Sequence, residues 1–281
     1  MRTPRKYQIP EGSSFHFMWR AINGEYILHD HETKKMFLDS FFGFKKRSKD
    51  KVDLHAFCAM DNHFHAAATQ KEDSTHMSNW ARSAHCSFAL KYNKRNNRRG
   101  PVAQDRPKTV LIENQEQLMR VMFYIDWNPV EAGLCSHPSE YPYSSYRYYA
   151  YGEENEWTRH LTPPQWYLEL GETPEERQRR YRELCDEYYR EKRLPTEREA
   201  DEAVAVGSEE FVRRRRELIA TLASLLRQGR GRRDRRGRRR RDAEFEAVTA
   251  SLMRVNMSTN ASTTSTSSST SLSSGGSGPP L

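Results

Sequence analysis

Hydrophobic positions over the first 150 residues alternate between two periods. Phe15 to Arg20 (FHFMWR) reads as a short aromatic-rich strand, whereas Met36, Phe37, Phe41 and Phe44 recur at helical spacing and predict a helix from about Thr33 to Lys45. Val52 to Ala59 and His63 to Thr69 are two further strands, joined by a Met60-Asp61-Asn62 turn short enough for a hairpin. Met77, Ala81, Ala84, Phe88 and Ala89 run down one side of a helix over Ser74 to Tyr92. Val110 to Ile112 is a brief fourth strand. Asn114 then caps another helix, and Gln117 three residues later completes a capping-box pattern.

The order β-α-β-β-α-β, followed by an α, predicts an α+β fold of the ferredoxin-like, split-βαβ kind. In it an antiparallel sheet carries its helices on one face and leaves the other open to bind something. From Trp157 the pattern changes. Thr173-Pro174-Glu175-Glu176 is a helix start leading to Tyr181, Leu184 and Tyr188 on one face. A second helix is expected from Ser208, with Phe211, Leu218, Leu222 and Leu225 as its apolar stripe. Arg227 to Arg241 is a self-repelling basic run, and Asn256 to Leu281 is nearly all Ser, Thr and Gly. The expected domains are therefore residues 1–152, a helical extension over 153–226, and a disordered tail over 227–281.

Charge sharpens this division. The 281 residues carry 46 Lys+Arg against 38 Asp+Glu, a formal net charge of +8. Residues 1–150 account for +6 and residues 151–226 for −5, while the fifteen residues from Arg227 to Arg241 alone carry +9. A basic first domain and a basic arm point to a nucleic-acid partner. No apolar run approaches the roughly 20 residues that cross a bilayer, and the N-terminus lacks the apolar core of a signal peptide. The four cysteines include no CxxC pair, which argues against a zinc ribbon or a disulfide framework. A soluble, cytoplasmic protein with reduced thiols and no membrane partner is expected.

The sharpest chemical feature is Asn62-His63-Phe64-His65 at the start of a strand. Alternation turns His63 and His65 to one face, and Phe64, Ala66 and Ala68 to the other. Two neutral imidazoles about 7 Å apart along a strand can both reach one ion and leave positions open for water or phosphate oxygens. They can equally be polar residues on a solvated face, and Asp61, His55, His76 and His85 are alternative ligands. Some sixty residues on, Tyr124 and Asn128 stand at i and i+4 and share a helix face, so Asn128 can complete a two-histidine site. Pro129 disfavours α geometry at Asn128, which is therefore expected to end the helix instead of lying within it. A divalent ion with a tyrosine suggests phosphodiester chemistry, in which the phenol oxygen attacks phosphorus and keeps the bond energy as a phosphotyrosine.

Two further clusters suit such a substrate. Lys91, Lys94, Arg95, Arg98 and Arg99, followed by Gln104, Arg106 and Lys108, form a basic segment that neutralises phosphates, or else a solvated helix end. Tyr141-Pro142-Tyr143-Ser144-Ser145-Tyr146-Arg147-Tyr148-Tyr149 offers aromatic faces for unpaired bases, or packs the end of the first domain against the second.

Four motifs in one order resemble the REP-associated tyrosine transposases, a group of single-tyrosine HUH transposases. They are Ala59-Met60-Asp61-Asn62-His63-Phe64-His65, Gly100-Pro101-Val102-Ala103-Gln104-Asp105-Arg106, Tyr124-Ile125-Asp126-Trp127-Asn128-Pro129-Val130-Glu131-Ala132-Gly133-Leu134 and Tyr141-Pro142-Tyr143-Ser144-Ser145-Tyr146-Arg147. The resemblance spans roughly Phe15 to Gly152 and continues more weakly through Leu170 to Glu175 and Gly207 to Phe211. It implies His63 and His65 as ligands of Mg²⁺ or Mn²⁺, Asn128 as third ligand and Tyr124 as nucleophile. The implied substrate is single-stranded DNA, often beside an imperfect hairpin, cut to leave a 5′-phosphotyrosine and a 3′-hydroxyl. Lys94, Arg95, Arg98, Arg99, Gln104, Arg106 and Lys108 are the expected DNA contacts. The expected location is the nucleoid, as a monomer or homodimer with the tyrosine used in cis or in trans. Asp61 stands where the family usually has proline, Glu131 where it has arginine, and Tyr143 where it has tryptophan. The alternatives are a non-catalytic hairpin DNA- or RNA-binding protein derived from a transposase, and a plain metal hydrolase.

Overall fold

The computed structural model describes residues 9–191 and 203–228. Among these, five strands and seven α-helices follow the order β1 (Ser14–Arg20), α1 (His31–Gly43), β2 (Val52–Ala59), β3 (His63–Gln70), α2 (Thr75–Arg95), β4 (Lys108–Ile112), α3 (Gln115–Glu131), α4 (Tyr146–Tyr151), α5 (Gln165–Leu168), α6 (Pro174–Arg190), β5 (Ala205–Val206) and α7 (Glu209–Gln228). The fold is α+β. Its sheet runs β2-β3-β1-β4-β5, antiparallel except that β5 joins β4 in parallel. The described residues up to Ala220 form one compact unit; from Thr221 on, only the helical continuation of α7 to Gln228 is described. The first two residues of the basic run thus belong to α7, and the remainder of that run and the Ser/Thr-rich tail lie outside the described residues.

Strand alternation sorts the side chains as expected. Phe17 and Trp19 of β1 and Phe64 of β3 point to the side of α1 and α2. Trp19 lies 4.9 Å from Phe37, and Phe64 lies 4.7 Å from Phe41, between ring centroids. The opposite face carries His16, His63 and His65, and here the structure corrects one expectation. This face is not left open, because α3 lies across β2, β3 and β1 and brings the Tyr124 ring to His16 and His65. Asn114 caps α3 as predicted, its Oδ1 accepting from the Gln117 N–H at 2.9 Å. At the other end the helix runs through Pro129 to Glu131, so Asn128 lies inside it. Proline forfeits only one backbone hydrogen bond this near the end. The turn is then closed by Gly133 (φ +69°), with bonds from Gly133 N–H to Val130 O and from Leu134 N–H to Pro129 O.

The second aromatic cluster has a packing role. Tyr146 and Tyr149 are fully buried, and the Tyr141 and Tyr149 hydroxyls donate to the Ala59 and His55 carbonyls of β2, each at 2.6 Å. Tyr149 stacks on Tyr181 of α6 at 5.4 Å. The predicted α6 face is closely matched: Tyr181, Cys185 and Tyr188 are buried and Leu184 packs against the same core. Phe123 and Trp127 on the outer side of α3 meet this helix, with Trp127 stacked on Tyr189 at 3.7 Å and donating from Nε1 to the Cys185 carbonyl.

Candidate active site

Two elements deliver the side chains that the sequence singled out. His63 and His65 come from β3, with ring centroids 4.7 Å apart. Tyr124 and Asn128 come from α3, where their i, i+4 spacing sets both towards that strand. The Asn128 amide oxygen lies 3.2 Å from His63 Nε2, and the Tyr124 ring stands edge-on to His65 at 5.5 Å. All four are buried, Tyr124 being 5% exposed. His63 Nδ1 pairs with the Asn62 amide oxygen at 2.6 Å, while its Nε2 faces the Asn128 amide oxygen.

One residue the sequence reading passed over completes the group. His16 of β1 lies beneath His65, with its Nε2 2.9 Å from His65 Nδ1, and stands 5.8 Å from the Tyr124 ring. It is 2% exposed, and burial, with the nearby charges of Lys108 and His63, pushes its pKa down to about 3. Burial also holds His65 well below the usual histidine range, with His63, His16 and Arg20 adding to the effect. Its place follows from the pairing of β1 with β3: His16 lies on the same face of the sheet as Met18, which is in register with His65.

The alternative ligands are used elsewhere. His55 bonds the Thr162 carbonyl and the Thr69 hydroxyl, His76 pairs with Glu72, and His85 packs against Phe17 and Phe37 on the far face of the sheet. Asp61 makes an ion pair with Lys34, whose side chain is 4% exposed. Among the described residues no three His, Cys, Asp or Glu side chains are grouped to share an ion. A cation would therefore depend on the two imidazoles and the Asn128 amide oxygen. That donor set suits a divalent ion, and the buried His65 Nε2, which has no hydrogen-bond partner among the described residues, fits a ligand role.

Of the basic segment, Lys108 is brought to the site: it opposes Met18 across β1 and β4, in the row that continues to His65. Lys94 and Arg95 end α2, and Arg99, Gln104 and Arg106 are exposed beyond it. Arg95 and Arg98 face Asp30 and Glu25 in the loop between β1 and α1, at 3.9 and 3.3 Å. The Gln104 N–H donates to the Arg20 carbonyl, which ties this segment to the end of β1. Asp126, on α3 between Tyr124 and Asn128, is fully buried; burial raises its pKa to about 8 against the opposing hydrogen bond from Tyr181.

No protein-family model and no curated protein sequence matches the chain. Among solved structures, the chain is similar to a REP-associated tyrosine transposase bound to a REP hairpin, at 19% identity and a TM-score of 0.42. The match covers 59% of this chain and 96% of that one. Among the described residues no helix is long and apolar enough to cross a membrane.

Proposed function

We propose that this protein is a transposase-type endonuclease and strand transferase that cuts and rejoins single-stranded, hairpin-associated DNA through Tyr124. The observation that carries this reading is the meeting of the Tyr124 phenol, the His63–His65 pair and the Asn128 amide oxygen in one buried group. The four ordered sequence motifs support it. His63, His65 and Asn128 would hold Mg²⁺ or Mn²⁺. Such an ion, when bound, polarises a phosphate oxygen and orients the phosphate for in-line attack. The Tyr124 oxygen forms a bond to phosphorus as the bond from phosphorus to the 3′ oxygen breaks. The phenol gives up its proton, and the departing oxygen gains one to become a 3′-hydroxyl. Reversal with a different 3′ end rejoins the strand. Since Tyr124 is 5% exposed, phosphate entry requires local opening over the phenol. Lys108 beside His16, with Lys94, Arg95, Arg98, Arg99, Gln104 and Arg106 along the adjoining segment, would hold the DNA backbone.

Incubation of the full chain with end-labelled hairpin DNA and Mn²⁺ tests this reading. The expected result is cleavage that leaves the downstream fragment joined to protein through its 5′ phosphate in denaturing gels, abolished by EDTA and strongly reduced in His63→Ala. Binding unaffected by EDTA without cleavage of any hairpin would instead favour a non-catalytic binding protein. Cut DNA released with no protein attached would favour a metal hydrolase.

A further inference from the structure

Two neutral imidazoles joined N to N share one proton along the contact, so one ring must donate and the other accept. At the His16 Nε2–His65 Nδ1 contact of 2.9 Å the direction determines what His65 offers on its other side. If His16 donated, the single proton of His65 would sit on Nε2, and that atom would have no lone pair for a cation. If His65 donates from Nδ1, its Nε2 lone pair is free, and it is this buried Nε2 that makes no hydrogen bond among the described residues.

We infer that His16 is a positioning residue. It accepts the Nδ1 proton of His65, fixes that ring as the Nδ1–H tautomer, and so turns the Nε2 lone pair to a divalent cation. The geometry favours a built arrangement. His16 is 2% exposed, its ring stacks on His65 at 4.9 Å, and its edge contact with Tyr124 spans 5.8 Å. One side chain thus touches both the ligand ring and the ring of the proposed nucleophile. A hydrogen-bonded partner behind a ligating histidine sets its tautomer and orientation. Just before β3, Asn62 stands to His63 Nδ1 as His16 stands to His65 Nδ1, so both rings would face their Nε2 atoms the same way. The inference rests on the proposal that His65 is a ligand.

The test uses the full-length chain with ¹⁵N-labelled histidine and Mn²⁺ or Zn²⁺ alone as probe. Long-range ¹H–¹⁵N correlation on the metal-free protein should show His65 protonated at Nδ1 and bare at Nε2. His16→Phe, which keeps a ring but offers no acceptor, should weaken Mn²⁺ binding about 10- to 100-fold. His16→Gln, whose amide oxygen can accept from Nδ1, should recover most of that loss. Finding His65 protonated at Nε2, or Mn²⁺ affinity in His16→Phe within about twofold of the parent, would overturn the inference. If His16→Phe fails to fold, the tautomer of the parent protein decides. Loss of Mn²⁺ binding in His65→Ala but not in His16→Phe defeats the inference alone, whereas unchanged binding in both His63→Ala and His65→Ala defeats the ligand reading beneath it.

Discussion

At the scale of single residues, the three positions that depart from the motifs of the transposases the sequence resembles each have a local partner. Asp61 pairs with the buried Lys34, and the Lys34 ammonium sits 5.3 Å from the centroid of the Tyr143 ring. The Tyr143 hydroxyl meets His31 Nδ1 at 2.7 Å, and Glu131 lies near enough to Tyr189 of α6 to add to burial in raising the pKa of that phenol. Asp61 is thus committed to a cation of the protein's own. Removing one member of a buried pair strands the other, so Asp61→Ala should lose about 3 kcal/mol of unfolding free energy in urea titration. A loss below about 0.5 kcal/mol would show the pair to be dispensable. His63, His65, Tyr124 and Asn128 were legible in the sequence, because strand alternation and the i, i+4 rule are local. His16 and the partner of Asp61 were not, since their roles depend on pairing between β1 and β3 and on packing between α1 and the hairpin turn.

At the scale of elements, α3 is held between the sheet and α6. One side gives Tyr124 and Asn128 to the histidines; the other gives Phe123, Asp126 and Trp127 to α6. The Tyr181 hydroxyl donates to Asp126, whose second oxygen has no hydrogen-bond partner among the described residues. Tyr181→Phe leaves a buried carboxyl without its donor and should cost roughly 1–3 kcal/mol. Asp126→Asn keeps an acceptor for Tyr181 and should be tolerated far better. Thermal unfolding of the two variants checks the order, and a more damaging Asp126→Asn would contradict it. The elements themselves were largely readable: β2 has the expected bounds, and the caps at Asn114 and Thr173 fall where predicted. Three features were missed for physical reasons. The two residues of β5 are too few to show a period, and their pairing with β4 is long-range. The continuation of α3 through Pro129 depends on the closing turn at Gly133. The placement of α3 on the second sheet face is a tertiary choice that strand alternation does not encode.

At the scale of the whole molecule, the C-terminal segments share one core with the sheet, since Trp157, Trp166, Tyr181 and Tyr188 join the same buried cluster as Phe57 and Phe123. His55 links these parts, spanning from β2 to the Thr162 carbonyl and to Thr69 of β3. Burial, the leading effect, lowers its pKa. The folded protein therefore binds this proton less readily than the unfolded chain. Its contribution is complete above about pH 6.5 and is lost as pH falls through the lowered folded value. In His55→Gln the decline of stability with acid should be shallower by up to about 1.4 kcal/mol per pH unit, the weight of one proton. An unchanged acid slope in denaturant titrations from pH 7 to 4 would contradict that assignment. The central claim is the covalent role of Tyr124, and the most direct measurement is peptide mass spectrometry of the full chain after reaction with hairpin DNA and Mn²⁺ and nuclease trimming. The expected result is a nucleotide 5′-phosphate on Tyr124, absent in Tyr124→Phe. An adduct on another residue, or one that persists in Tyr124→Phe, would contradict it.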